Sequence, residues 1–223
     1  KVIGLKQFPT LTDNGKIILL YDSYGKLIHG VEYSSEWYGD ELKSKGGWSL
    51  EMIDTGYPFY FNGNWTSSKA LNGGTPGTVN SVAGSNPDNS FSGDLIIFPE
   101  DSITVSVSSP EPLFNLLRMI DSINIDGDCP VEIYSSDPLF REFSLRLNNP
   151  LERGKVYQFV TLGDIRDFAG NRYMKDKISF GLSESAEPGD ILFNELLFNS
   201  WPGDPDYLEL FNSSEKIIDA TRL

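Results

Sequence analysis

Cysteine and histidine are nearly missing from this 223-residue chain: it has one of each, Cys129 and His29. A lone cysteine excludes an internal disulfide and any CxxC pair, and a lone histidine excludes a histidine-rich zinc site. A Cys129–His29 dyad stays formally open, although the two residues sit in segments that read as different domains. Basic residues are also scarce: 18 Lys+Arg stand against 32 Asp+Glu, a net charge of −14. A field of that sign repels phosphate backbones, which argues against nucleic-acid binding. No apolar run approaches the roughly 18 residues of a membrane span. What the chain does have is 21 glycines, 13 prolines and 13% aromatics, the composition of turn-rich β structure.

Local patterns divide the chain into five stretches. In residues 1–82, Lys16–Tyr21 is an apolar run, Asp22-Ser-Tyr-Gly25 is a turn, and Lys26–Tyr33 returns as the second strand of a hairpin. Leu27, His29, Val31 and Tyr33 share one face of that return strand. A short strand is expected around Trp48–Ile53, followed by Gly/Pro-dense loops to Ser81. Residues 83–90 lack any large apolar side chain and read as an interdomain linker. In residues 91–182, strands are expected at Leu95–Phe98, Ile103–Val107, Ile123–Ile125, Val131–Tyr134, Phe143–Leu147, Val156–Leu162 and Lys177–Phe180. Short strands at that spacing, separated by Pro/Gly/Asp turns, predict an immunoglobulin-like β-sandwich. Pro112–Met119 is the one helical candidate, about two turns at most. A second linker, 183–189, precedes strands at Ile191–Phe198 and Tyr207–Phe211 in residues 190–223. The chain begins at Lys1 without an initiator Met or a signal peptide, and it reads as a fragment of a longer protein.

Two separated stretches resemble opposite halves of one module, the lamin-tail domain. Asp190-Ile-Leu-Phe-Asn-Glu-Leu-Leu-Phe-Asn199, Asp206-Tyr-Leu-Glu-Leu-Phe-Asn212 and Lys216-Ile-Ile-Asp219 are similar to its opening strands. Leu11–Gly25, Val31-Glu-Tyr33, Gly47-Trp-Ser-Leu-Glu51, Asn64-Trp65 and Gly73-Gly-Thr-Pro-Gly77 to Val82 are similar to its closing half. The middle, with Tyr157-Gln-Phe159 and Asp167-Phe-Ala-Gly-Asn171, resembles bacterial immunoglobulin-like domains that carry a D-x-A-G-N turn. The resemblance implies an all-β chain with two immunoglobulin-like sandwiches, one of them assembled from the N- and C-terminal segments. That composite is expected within one chain if the central domain brings its ends close, or by strand exchange between two copies.

Each candidate site has a plainer structural reading beside it. Asn124, Asp126 and Asp128 imitate the start of a calcium loop, but Ser135 stands where such a loop ends in Glu, so a turn is expected. Glu195 and Glu209 pose as an acid–base pair, whereas carboxylates on a sandwich strand are usually structural. Gly73-Gly-Thr-Pro-Gly77 lacks the Gly-Lys-Ser/Thr ending and following helix of a phosphate loop. His29 reads as a sheet-face residue. Trp37, Trp48, Tyr57 and Trp65 lie in an aromatic-dense stretch that would serve either as core plugs or as a platform for sugar or peptide. Asn64-Trp-Thr66 and Asn212-Ser-Ser214 match glycosylation acceptors by their spacing. No residues are taken as catalytic, cofactor-binding or metal-binding, and no cofactor is expected.

The function expected from the resemblance is non-catalytic: adhesion, scaffolding or spacing in a secreted or cell-surface bacterial protein. Its partners would be protein or glycan at the cell surface. The alternative is an accessory substrate-binding or positioning module, carbohydrate-binding among the options, within a larger secreted hydrolase.

Overall fold

The computed structural model describes residues 8–61, 63–114, 120–161, 165–175 and 177–220. The chain is all-β. Among the described residues there are fifteen strands, a few single 3₁₀ turns, and no helix long and apolar enough to cross a membrane.

The centre of the molecule is a two-sheet stack. One sheet orders β5 (Ile96–Pro99), β6 (Thr104–Ser108), β10 (Glu142–Arg146) and β9 (Glu132–Tyr134). The other orders β13 (Lys177–Phe180), β11 (Tyr157–Thr161) and β8 (Ile123–Ile125). In chain order this is the ABED/CFG arrangement of a constant-type immunoglobulin sandwich. Alternation builds its core: Val105 and Val107, Phe143 and Leu145, Ile123 and Ile125, and Tyr157 and Phe159 all point between the sheets and are buried. Their neighbours Ser106, Ser144, Asn124 and Gln158 are more exposed, because a period of two sends them to the other face. Expected and observed strands agree here to within about a residue.

A ribbon of β7 (Leu113–Phe114) and β12 (Arg166–Asp167) closes one end of the stack. Leu113 is extended and paired with Asp167, so the expected helix does not begin at Pro112. Burying Leu113 in the core outweighs a helix start marked only by proline. The remainder of that candidate, 115–119, lies outside the described residues.

The sandwich carries the chain from one end to the other. Ile96, at the start of β5, pairs with Ser108, and the adjacent loops 109–113, 137–141 and 166–171 gather at this near end. There Ser109 N–H donates to Arg141 O at 2.6 Å and Leu113 N–H to Leu139 O at 3.0 Å. Phe180, at the end of β13, pairs with Tyr157 at the far end. At that far end Leu151 N–H donates to Ser102 O, and Arg153 bridges Leu182. Entry and exit are thus separated by the length of a strand, roughly 17 Å for five residues.

This separation corrects one expectation. Among the described residues the C-terminal hairpin, β14 (Ile191–Leu197) with β15 (Tyr207–Asn212), pairs only with itself, and so does the N-terminal hairpin, β1 (Gly15–Tyr21) with β2 (Leu27–Ser34). With the sandwich between them, the described residues of the two segments do not pair in one chain, and no composite sandwich is formed in cis among them. The N-terminal segment adds a second ribbon, β3 (Leu50–Met52) with β4 (Trp65–Ser67), rather than a closed stack of sheets.

The core assignment predicts a sharp contrast between two substitutions. Phe159→Ala, at 1% exposure, is expected to lower unfolding stability by about 3–5 kcal/mol. Leu71→Ala, fully exposed, is expected to stay within about 0.5 kcal/mol of the parent. Denaturant titration of both variants measures the difference, and equal losses would contradict the assignment.

Candidate functional site

The N-terminal unit is held by polar groups rather than by a core. Among its described residues Phe61 is the one buried hydrophobic side chain, while Glu51, Asn64, Ser67 and Ser68 are buried polar ones. Asn64 is fully buried, and its amide organises the loop from residue 54 to 61. Its Oδ1 accepts from Asp54 N–H at 2.8 Å, and its Nδ2 donates to Asp54 O and Tyr57 O. Glu51 is enclosed by donors: Thr75 Oγ1 at 2.6 Å, and Ser81 N–H and Oγ each at 2.7 Å. Burial pushes the Glu51 carboxyl up, but the hydrogen bonds from Thr75, Ser81 and Ser68 prevail and hold it at about 2.

The loop organised by Asn64 presents Phe59 to the near end of the sandwich. The Phe59 ring stacks on Phe168 at 3.8 Å, and Phe114 meets Phe168 edge-on at 5.5 Å. Behind Phe59, the His29 ring lies 5.2 Å away, with Nε2 3.1 Å from Pro58 O. On the other face of β2, Gly30 admits Leu139 of the sandwich; a Cβ there would lie 3.4 Å from Leu139 Cδ2 and 2.9 Å from Leu19. Glu32 pairs with Arg141, which Asp137 also holds at 3.2 Å. The linker is tied as well. Asn86 N–H donates to Asp54 Oδ2 at 2.8 Å, and Asp88 accepts from Asn171 Nδ2 at 3.2 Å.

At the centre of this junction lie three carboxylates, Asp88, Glu111 and Asp167, with oxygens within 4.8 Å of one another. Asp167 is 2% exposed and accepts from Asn171 N–H at 2.8 Å and Asn171 Nδ2 at 2.9 Å. Glu111 accepts from Ser92 N–H at 2.5 Å. Burial first, then the charges of Asp167 and Asp88, push the Glu111 carboxyl up to about 7 despite that bond. Burial and the Asp167 charge raise Asp88 as well. The cluster borders a cavity of about 10 Å³, the size of one water, roofed by Tyr57, Pro58, Phe59 and Tyr60. Three carboxyl groups so placed can share a proton or ligate a cation. They come from positions far apart in the chain, and no motif in the sequence announces them. Only Asp167 was visible, as the first residue of the D-x-A-G-N turn.

The residues singled out in the sequence are engaged in holding turns. Asn124 Oδ1 accepts from Gly127 N–H, Asp126 Oδ1 from Gln158 N–H, and Asp128 Oδ2 from Asn149 Nδ2, so the three side chains serve different partners. Glu195 and Glu209 are paired in register, with Glu195 taking the Tyr207 hydroxyl and Glu209 the Asn194 amide. Gly73 (φ +86°) lies against Gly47, where a Cβ would be 2.0 Å from the carbonyl oxygen, and Thr75 of the same run binds Glu51. Trp37 and Trp65 stack on each other at 6.2 Å, Trp48 lies under Lys43, and Tyr57 faces the junction; the four form no shared platform. Asn64 of the first acceptor motif has its amide buried and fully bonded. Asn212 of the second is exposed, with its Nδ2 donating to Lys216 O. Cys129 is exposed beside Asn149 at the far end, away from His29 at the near end.

No family model matches the chain, and no curated protein matches it in sequence. Among solved structures, the S-layer protein rSbsC(31-844) aligns with 22% identity and a TM-score of 0.36, over 44% of this chain and 14% of that one. The N-terminal part of the bacterial S-layer protein SbsC aligns with 20% identity and a TM-score of 0.36, over 45% of this chain and 26% of that one. The chain spans about a quarter or less of the length of these proteins.

The Glu51 site predicts an acid-sensitive N-terminal unit. Its folded carboxyl is held at about 2 against an ordinary 4.5, so its contribution to stability is present above about 4.5 and is lost as pH falls toward 2. Urea titrations between these limits are expected to show a steeper loss in the parent than in Glu51→Gln. Parallel pH profiles would contradict the assignment.

Proposed function

We propose that the chain is a non-catalytic structural module of a secreted or cell-surface bacterial protein, acting as a scaffold or spacer. One observation carries the reading: the chain enters the sandwich at one end and leaves at the other, with the entry side clasped to the preceding unit. A module of that kind transmits position along a tandem array. The motif resemblances to lamin-tail and bacterial immunoglobulin-like domains support the same reading, and so does an acidic surface that keeps copies soluble. In this view residues 91–182 are the spacer, residues 1–82 a docked β unit joined through 83–90, and residues 190–223 a further unit after 183–189.

The hairpin β14–β15 favours protein as the partner. Phe193, Leu196, Leu208 and Leu210 share one of its faces and are 72%, 58%, 50% and 44% exposed. An isolated two-stranded ribbon with such a face is marginal in water. Because the two resembling halves lie at opposite ends of the sandwich, their union would join the C-terminal hairpin of one copy to the N-terminal unit of the next. Such head-to-tail contacts build open series rather than closed dimers.

Two measurements test these statements. Nitrogen-15 relaxation at pH 6 is expected to give one rotational correlation time for the N-terminal unit and the sandwich; two distinct times would reject the spacer reading. Sedimentation over rising concentration is expected to show open-ended association that deletion of residues 190–223 abolishes. An undeleted 223-residue chain that stays monomeric at high micromolar concentration would reject strand exchange.

A further inference from the structure

We propose that the junction between the N-terminal unit and the sandwich is a proton-operated latch, with Glu111 as the group whose charge opens it. The geometry comes first. Glu111 borders both crevices between the two units: the small cavity under Tyr57–Tyr60, and a second of about 120 Å³ shared with Trp37, Phe61 and Arg141. It is therefore half-buried against the docked loop, and lifting that loop would expose it further to water. Two carboxylates, Asp88 and Asp167, lie against it on one side. Across the second crevice stand Arg141 and Glu32, which pair with each other, and Arg141 is held by Asp137 as well. Tyr57 and Tyr60 of the loop border the crevices, His29 sits behind Phe59, and the Ser92 N–H is the donor to Glu111.

With Glu111 protonated, the carboxyl adds no charge to those of Asp88 and Asp167, and the aromatic loop seals over it. With Glu111 ionised, three like charges within 4.8 Å are confined under apolar rings, which low-dielectric surroundings penalise. The docked state thus prefers the proton. The folded carboxyl is raised from 4.5 to about 7, so the docked form binds more protons than the open form between those values. Docking is therefore strongest below about pH 4.5, weakens as pH rises toward about 7, and then levels off. This sign is opposite to that of Glu51, whose contribution fades in acid.

The test is fluorine NMR on the full chain carrying fluorophenylalanine at position 59, in buffer with chelator. The stacked ring at 3.8 Å from Phe168 has a ring-current-shifted resonance that undocking removes. The undocked fraction is expected to rise about tenfold or more from pH 5 to pH 8, each unit of pKa displacement being worth a factor of ten. Glu111→Gln is expected to flatten that profile. Asp88→Asn, which removes one neighbouring charge and keeps Glu111, is expected to move the midpoint to lower pH; it serves where Glu111→Gln fails to fold. An undocked fraction that does not vary with pH, an unaltered rise in Glu111→Gln, or an unmoved midpoint in Asp88→Asn would each overturn the proposal.

Discussion

The stack of Phe59 on Phe168 is the contact through which two differently built halves become one body. Phe168 belongs to the turn at the near end of the sandwich, and its ring position is set by the β7–β12 ribbon and by Asn171 bonding back to Asp167. Phe59 belongs to a loop with no regular structure, whose shape comes from the buried amide of Asn64. Each ring is positioned by a polar device on its own side, and the apolar contact joins the two. The Glu32–Arg141 pair, Leu139 over Gly30 and the tied linker lie around this stack and restrict rotation about it.

The two halves fold by different physics. The sandwich buries alternating Val, Ile, Leu and Phe residues from both sheets, an interaction that is cooperative and tolerant of sequence. The N-terminal unit buries carboxylate, amide and hydroxyl groups, which is favourable only when each finds its partner. Such a unit depends on a neighbouring surface to exclude water from its loops, which the near end of the sandwich supplies. Among the described residues the C-terminal hairpin has no such neighbour, and its apolar face is exposed.

What could be read in the sequence follows the same division. A period of two in Phe143-Ser-Leu-Arg-Leu147 states which face is buried, so the strands of the sandwich and the turns between them were legible. The Asp22–Gly25 turn and the one-sided placing of His29 were legible for the same reason. The junction was not. Asp88, Glu111 and Asp167 come from a linker, a loop and a strand, and only the strand order of the closed sandwich brings them together. The choice between pairing within one chain and exchange between copies stayed open, because nothing local in a strand says at which end of a sandwich the last one stops. The Gly/Pro-dense stretch from 54 to 81 reads as loop, and loop it is; its buried hydrogen bonds to Glu51 and Asn64 involve residues up to thirty positions apart.

If the ring stack is the central contact of this junction, part of its energy must be shared between the two rings and not divisible between them. A double-mutant cycle of Phe59→Leu and Phe168→Leu, read from unfolding stability at pH 6, measures that shared term directly. A coupling of about 0.5–1.5 kcal/mol is predicted, the range for stacked aromatic pairs beyond their area burial. Strictly additive losses would mean that the rings do not hold the units together.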